Sequence, residues 1–279
     1  MIRYDSSSFQ ILASSDDNIS SLEMALQCQE ILTARVKKAS QTKRRLDFLL
    51  HEFKSEITNV QEPAAVISAL NDFLFIKKNI SGSGLEAKTD NELWVNSICE
   101  TRKGQPISLA LAYRYLASRS QTCPVNLINM PGFYFVKILY RNQLVFLDPS
   151  SGGRELSVSE LQKKLSERFG KNMALNGLFL ETPTEIQTIT RFLIKLKAIY
   201  LENRQWPQLV ACLDMLIAAN PSKISEYRER GMLLYQLGSK SEAGKDLEVF
   251  VRKSRPSIEV EKVKNILACL NSPNVTPLF

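Results

Sequence analysis

The chain has 279 residues, 44% hydrophobic and 23% charged, with a net charge of +7, which is the balance of a globular protein with room for two domains. No apolar run approaches the roughly 20 residues of a membrane span. The opening MIRYDSSSFQILASSDDN lacks a basic start followed by a long apolar stretch, so no secretory signal and a cytoplasmic location are expected.

Cys28, Cys99, Cys123, Cys212 and Cys269 lie far apart with no CxxC spacing, and His51 is the one histidine. This inventory points to free thiols and argues against a zinc site, and no metal or cofactor is expected. The densest basic patches are Lys37-Lys38 and Lys43-Arg44-Arg45. They sit in a charge-mixed helical segment, where a solvated face is the ordinary reading and nucleic acid the alternative.

Residues 1–18 are polar and expected to be loosely held, with Asp16, Asp17 and Asn18 as candidate helix caps. From Ile19 to Thr58 the pattern is helical. Leu22, Leu26 and Ile31 form one stripe and Leu46, Leu49, Leu50 and Phe53 another, with a turn expected in the polar segment 37–43. Pro63 suits the first turn of a further helix, whose apolar side is Ala65, Val66, Ala69 and Leu70. Ser81-Gly82-Ser83-Gly84 reads as a break, and Asp90-Asn91 as the cap of a helix through Cys99 with Leu93, Trp94 and Ile98 inward.

The next stretch, Arg102 to Gly153, organises the chain. Gly104 precedes Pro106, which is preorganised to open a helix burying Leu109, Ala112, Tyr113 and Leu116. Ser108 therefore lies in the first turn, where backbone N–H groups and the helix dipole favour a developing anion. The strand Phe133–Tyr140 turns at Arg141-Asn142-Gln143 and returns through Leu144–Leu147 to Asp148, as a hairpin expected to be buried. A serine hydroxyl needs a general base, and no histidine lies in the segment. The plain alternatives are that Ser108 helps to cap the first turn and that Asp148 forms an Asx-type turn or cap before Pro149. Cys99 and Cys123 read as small core residues.

Glu181-Thr182-Pro183-Thr184-Glu185 is the expected domain boundary. Beyond it a 34-residue period aligns Thr190 with Ile224, Tyr200 with Leu234, Leu209 with Ala243, Leu213 with Leu247 and Leu216 with Phe250. Pro221 and Pro256 close the two units, and Gly231 and Ala243 fall where small residues let helices approach. The first unit carries Lys197 and Leu209 at those positions. The pattern resembles tetratricopeptide repeats, with a last helix from Ile258 to Leu270. An ordinary helical hairpin domain is the alternative.

Leu70–Phe75 (LNDFLF), Glu92–Ala117, Met130–Ile138 (MPGFYFVKI) and Phe146–Gly153 (FLDPSSGG) together resemble the transglutaminase-like core of the bacterial SirB/YchA-type family. That family typically carries tetratricopeptide-like repeats after the core. The resemblance implies a papain-like α+β fold. The expected division is 1–18 N-terminus, 19–182 core with N-terminal helices, 183–271 helical repeats and 272–279 tail. In related enzymes a cysteine opens the central helix, a histidine lies on the next strand and an aspartate on the one after. By resemblance those positions are Ser108, Phe133 and Asp148 here. Phenylalanine cannot accept a proton, and general-base catalysis is worth about 10²–10⁴-fold.

A pseudoenzyme that binds a protein partner through its repeats is therefore the leading expectation. One alternative is a residual hydrolase or acyltransferase using Ser108 with His51 or Lys103 as base. Another is a nucleic-acid-associated regulator engaging Lys43, Arg44 and Arg45. Oligomeric state is not readable from the sequence.

Overall fold

The computed structural model describes residues 19–33, 36–60, 62–119 and 124–271. The N-terminal segment with Asp16, Asp17 and Asn18, Cys123 and the tail from Ser272 lie outside the described residues. The fold is α+β. It divides into two compact units, one of residues 16–192 and one containing Leu193 onward, and the division falls inside a helix.

The first unit begins with α1 (Ser21–Thr33). Ser20 and Glu23 cap it reciprocally, each backbone N–H donating to the other's side chain at 3.2 and 3.3 Å. Leu22 and Leu26 are buried as expected, and Leu32 completes the stripe in place of the half-buried Ile31. Next, α2 (Val36–Glu56) is one continuous helix, so the turn expected within 37–43 is absent. Ala39, Thr42, Leu46, Leu50 and Phe53 make its buried stripe. The first two are too small or polar to stand out in a hydrophobicity pattern, which is why that part reads as a turn.

Pro63 opens α3 (Pro63–Asn71), which buries Val66, Ile67 and Leu70 while Ala65 stays exposed. It continues as a π-helical turn, Asp72–Lys77, that buries Phe73 and Leu74. The expected break contains a short strand, β1 (Ser81–Gly82), paired in parallel with β2 (Lys103–Gly104).

The helix expected from Asp90 to Cys99 is two, α4 (Asp90–Leu93) and α5 (Asn96–Thr101). The break is at Trp94, whose ψ is 143°. Its indole is fully buried 5.5 Å from Phe192 and donates to Asp90 Oδ2 at 3.3 Å, which holds the chain in this course.

Then comes the central helix, α6 (Pro106–Arg119). Ile107, Leu109, Ala110, Leu111, Ala112, Tyr113, Tyr115 and Leu116 are all buried. It is surrounded on all sides, beyond the single face expected, as a helix apolar all round must be.

A four-stranded antiparallel sheet follows in the order β3 (Asn126–Leu127), β4 (Val136–Tyr140), β5 (Gln143–Asp148) and β6 (Arg154–Leu156). Arg141 and Asn142 both have positive φ, 47° and 61°, the two-residue turn that matches strand twist. The hairpin is buried only at its Asp148 end: Leu139 and Leu144, paired near the turn, are exposed. A capping box of Ser157 and Glu160 starts α7 (Val158–Phe169). Leu161 and Leu165 of α7 pack with Ile128, Met130, Phe135, Phe146 and Leu156. A short helix, α8 (Gly177–Leu180), precedes Thr184, which caps the next helix by exchanging hydrogen bonds with Gln187 at 2.9 and 3.1 Å.

That helix, α9 (Glu185–Glu202), runs into the second unit, followed by α10 (Trp206–Ala219), α11 (Ile224–Gln236), α12 (Lys240–Lys253) and α13 (Ile258–Asn271). Four of the five pairs aligned by the 34-residue period are buried in equivalent places, Tyr200 and Leu234, Leu209 and Ala243, Leu213 and Leu247, and Leu216 and Phe250, while Thr190 and Ile224 are half-buried. A Cβ on Gly231 would stand 2.8 Å from Leu247 Cδ2, so α11 and α12 meet there. Lys197, its counterpart one period earlier, instead bonds Glu226 and Glu229 at 3.0 and 2.8 Å. Arg230 joins three helices, donating to Asp214 on α10 and, through two nitrogens, to Asp246 on α12 at 2.6–2.7 Å.

Candidate functional site in the core

The site is built where the start of α6 meets the end of β5. Gln105 caps α6 through its carbonyl, which accepts from Leu109 N at 2.9 Å. Gly104 just before it has no room for a side chain, since a Cβ there would lie 2.7 Å from Ile98 and 2.8 Å from Leu109. The role is close packing more than the flexibility that a glycine before a helix suggests. The Gln105 amide donates to Ser83 Oγ and Glu86 O at 3.1 and 3.2 Å, while its Oε1 is buried without a hydrogen-bond partner among the described residues.

Ser108 is fully buried. Its hydroxyl does not cap the first turn of α6 but donates to the carbonyl of Leu93. That carbonyl is within reach because the chain leaves helical geometry at Trp94. The hydroxyl proton is therefore committed to a backbone acceptor, away from any general base.

Asp148 is 2% exposed and acts as the cap of the 3₁₀ turn Pro149–Ser151. It accepts from Ser150 N at 3.0 Å, from Ser151 Oγ at 3.0 Å and from the Ser150 hydroxyl. Lys164 Nζ on α7 stands 3.8 Å away and 5.6 Å from the Phe135 ring. The carboxylate is thus saturated by local donors and one cation.

Phe133 is buried to 7% exposure and stacks on Phe135, ring centres 5.3 Å apart. The Arg168 guanidinium lies 5.8 Å from its ring. Phe133 precedes the paired strand, which begins at Val136, and it follows Gly132 at φ +72°. Arg191 fixes this bend by donating to the carbonyls of Ile128 at 3.2 Å, Met130 at 2.8 Å and Phe133. Burial pushes the Arg191 pKa down, and the same burial pushes the neighbouring Tyr134 phenol up.

Phe133 and Asp148 line one pocket of about 220 Å³, together with Pro106, Tyr134, Phe135 and Lys164. Ser108 does not line it, although Pro106 two residues earlier does. His51 is exposed on α2 and Lys103 is exposed on β2, whereas Ser108 has no exposed surface. Cys99 is half-buried on α5, and burial raises its pKa. No group of three or more metal-ligating side chains occurs among the described residues.

A profile described as the transglutaminase-like superfamily matches residues 40–194, more than half of the chain. The chain belongs to the transglutaminase-like superfamily. A tetratricopeptide-repeat profile matches residues 196–268. A UPF0162 protein of Xylella fastidiosa (strain 9a5c) is 26% identical over 225 residues, 80% of each chain. UPF0162 protein BU173 of Buchnera aphidicola subsp. Acyrthosiphon pisum (strain APS) is 25% identical, covering 77% of this chain and 80% of that one. UPF0162 protein YchA of Escherichia coli (strain K12) is 25% identical over 166 residues, 60% of this chain and 61% of its own. No solved structure matches. These findings bear out the SirB/YchA-type resemblance and the repeats after the core. No described helix is long and apolar enough to cross a membrane.

Sequence reasoning missed Arg191, Lys164 and Gln105. Lys164 lies on one helix of strong polar–apolar contrast, where a lysine carries no signal. Arg191 lies beyond the expected domain boundary, so its partners 58 to 63 residues upstream are not suggested by any local pattern.

Proposed function

We propose that the chain is a non-catalytic protein-binding protein, in which the transglutaminase-like core is a scaffold and the helical repeats carry the partner. The observation that carries the reading is the Ser108 hydroxyl, fully buried and spent on the Leu93 carbonyl. Phe133 adds to it, since the position that a histidine takes in related enzymes holds a ring beside a guanidinium. An imidazolium formed there in catalysis would face the positive charge of Arg168. Tetratricopeptide repeats are in general protein-interaction modules, and the match over residues 196–268 supports a partner carried by the second unit. The expected division at 182/183 belongs to the same proposal.

The test has two arms. A fluorophosphonate serine probe, applied to the full chain across pH 6–9, is expected to leave Ser108 unlabelled. Ser108→Ala is expected to capture the same proteins as the unaltered chain in affinity purification. Labelling at Ser108, or loss of capture in a folded Ser108→Ala variant, refutes the proposal and returns the residual hydrolase to first place.

A further inference from the structure

A second and larger pocket, about 470 Å³, lies between α2, α5 and the segment Lys78–Ile80. Its volume falls in the range of small-molecule sites, about 300–1,000 Å³. It has no part in the reading of Ser108, and its inference stands apart from the proposed function.

Its floor is apolar. Ile80 and Ile98 are buried, Leu49 is half-buried, and Phe48 stands at the rim with 63% of its surface exposed. Its polar lining is cationic: Arg44, Arg45, Lys78 and Arg102 face a single carboxylate, Glu52. These cations are not equally committed. Lys78 is held by Glu52 at 2.7 Å. Arg45 stands 3.8 Å from Glu100. Among the described residues Arg102 donates only to a backbone carbonyl, Lys78 O at 3.2 Å. Arg44 makes no hydrogen bond or ion pair among the described residues. Arg44 and Arg102 thus line the recess without an ion pair among the described residues, while Glu52, paired with Lys78 through Oε1, keeps Oε2 buried without a hydrogen-bond partner there.

The backbone at Arg102 is a separate observation. It follows α5 in the left-handed conformation, φ 61°. That position favours glycine, because a Cβ there crowds the carbonyl. An arginine held in a conformation costly for it, with its side chain lining a cavity, is the kind of outlier that functional sites retain.

We infer that this pocket binds a small amphipathic anion: a carboxylate or phosphate monoester carrying an apolar, ring-sized body. The anionic head lies between Arg44 and Arg102, which offer forked N–H donors. The body lies on Ile80, Ile98, Leu49 and Phe48. The solvated face that Lys43-Arg44-Arg45 suggests in the sequence becomes, for its last two members, one wall of this site.

The experiment uses the full chain and 1-anilinonaphthalene-8-sulfonate, whose fluorescence rises when its rings leave water. A saturable increase at one site per chain is expected, displaced by phenyl phosphate or by hexanoate. Stronger displacement by phenyl phosphate assigns a phosphate ester, and stronger displacement by hexanoate a carboxylate. Arg102→Gly removes the charge while suiting the backbone, and it is expected to weaken binding about tenfold with an unchanged far-ultraviolet circular dichroism spectrum. Arg44→Ala, on an exposed helix surface, provides a second variant expected to fold and to lose affinity similarly. Arg141→Ala removes an exposed charge from the hairpin turn outside the pocket and is expected to change affinity less than twofold. Absence of saturable binding, equal affinity in the two pocket variants and the unaltered chain, or an equal loss in Arg141→Ala overturns the inference.

Discussion

Two glycines in facing helices should respond to the same substitution with opposite signs. Gly231 on α11 and Gly244 on α12 both lie within helices, so replacement by alanine brings each about 1 kcal/mol of helix propensity. At Gly244 nothing lies within 4 Å of the added Cβ, and the gain stands alone. At Gly231 the Cβ would lie 2.8 and 2.9 Å from two carbons of Leu247 and 3.1 Å from Asp246 Cβ. Leu247 is fully buried and cannot swing aside, and Asp246 is pinned by Arg230 at 2.6 and 2.7 Å. Overpacking of this kind costs about 1–3 kcal/mol, so the net for Gly231→Ala is a loss of about 1 kcal/mol. The two variants should differ by about 2 kcal/mol, roughly a thirtyfold difference in the folding equilibrium. Urea unfolding of the full chain, followed by circular dichroism, reads the midpoints, and an unchanged m-value shows that stability alone has moved. Adding Leu247→Ala should remove the penalty of Gly231→Ala, since the clashing carbons are gone, and the double variant should be non-additive by about 2 kcal/mol. A Gly231→Ala protein that gains as much as Gly244→Ala would refute the claim that α11 and α12 are in contact at that point.

Gly153→Ala should cost about 3 kcal/mol or more in urea unfolding, because the residue sits at φ +73° and its Cβ would lie 2.0 Å from Asn71 Oδ1. That amide cannot retreat without losing its bonds to Gly153 O at 3.2 Å and to the Tyr113 hydroxyl at 2.8 Å. Ser108→Ala should leave probe labelling absent yet lower stability by about 1–2 kcal/mol, because the Leu93 carbonyl loses its buried donor. For Glu185, burial pushes the carboxyl up, but hydrogen bonds from Arg114 and from Ser21 N at 2.7 Å outweigh it and hold the pKa below its usual value. A depressed carboxyl contributes stability above its unfolded pKa, about 4.3, and loses it as pH falls through the folded value. Unfolding midpoints measured from pH 6 down to pH 3 should therefore fall more steeply for the unaltered chain than for Glu185→Gln.

The parts of the fold that could be read from sequence are those whose signal is local. Pro106 starts α6 where a proline is expected to, Arg141-Asn142 turns the hairpin, and the 34-residue period finds buried pairs such as Leu213 and Leu247. The parts that could not be read depend on contacts far along the chain. The break at Trp94 has no glycine or proline to announce it, and its cause is an indole packed on Phe192, almost a hundred residues away. The small residues Ala39 and Thr42 carry a core stripe that a hydrophobicity pattern takes for a turn. At the candidate site, Ser108 and Asp148 stand out in sequence as reactive types in suggestive places. What each hydroxyl or carboxylate bonds is a matter of tertiary geometry, and a backbone carbonyl such as that of Leu93 leaves no trace in a sequence.

The sheet of the first unit ends in very short strands, two residues in β3 and three in β6. An edge recruits an extended peptide by offering it a row of free N–H and C=O groups, and strands this short leave the outer sides of Ile138–Tyr140 on β4 and Gln143–Val145 on β5 uncovered by a neighbouring strand. A peptide added to this sheet would then meet the backbone beside the hairpin turn, past the ends of β3 and β6. Its specificity would be written in the exposed side chains there, Leu139 and Leu144, which can change one at a time while the backbone beneath them stays as it is.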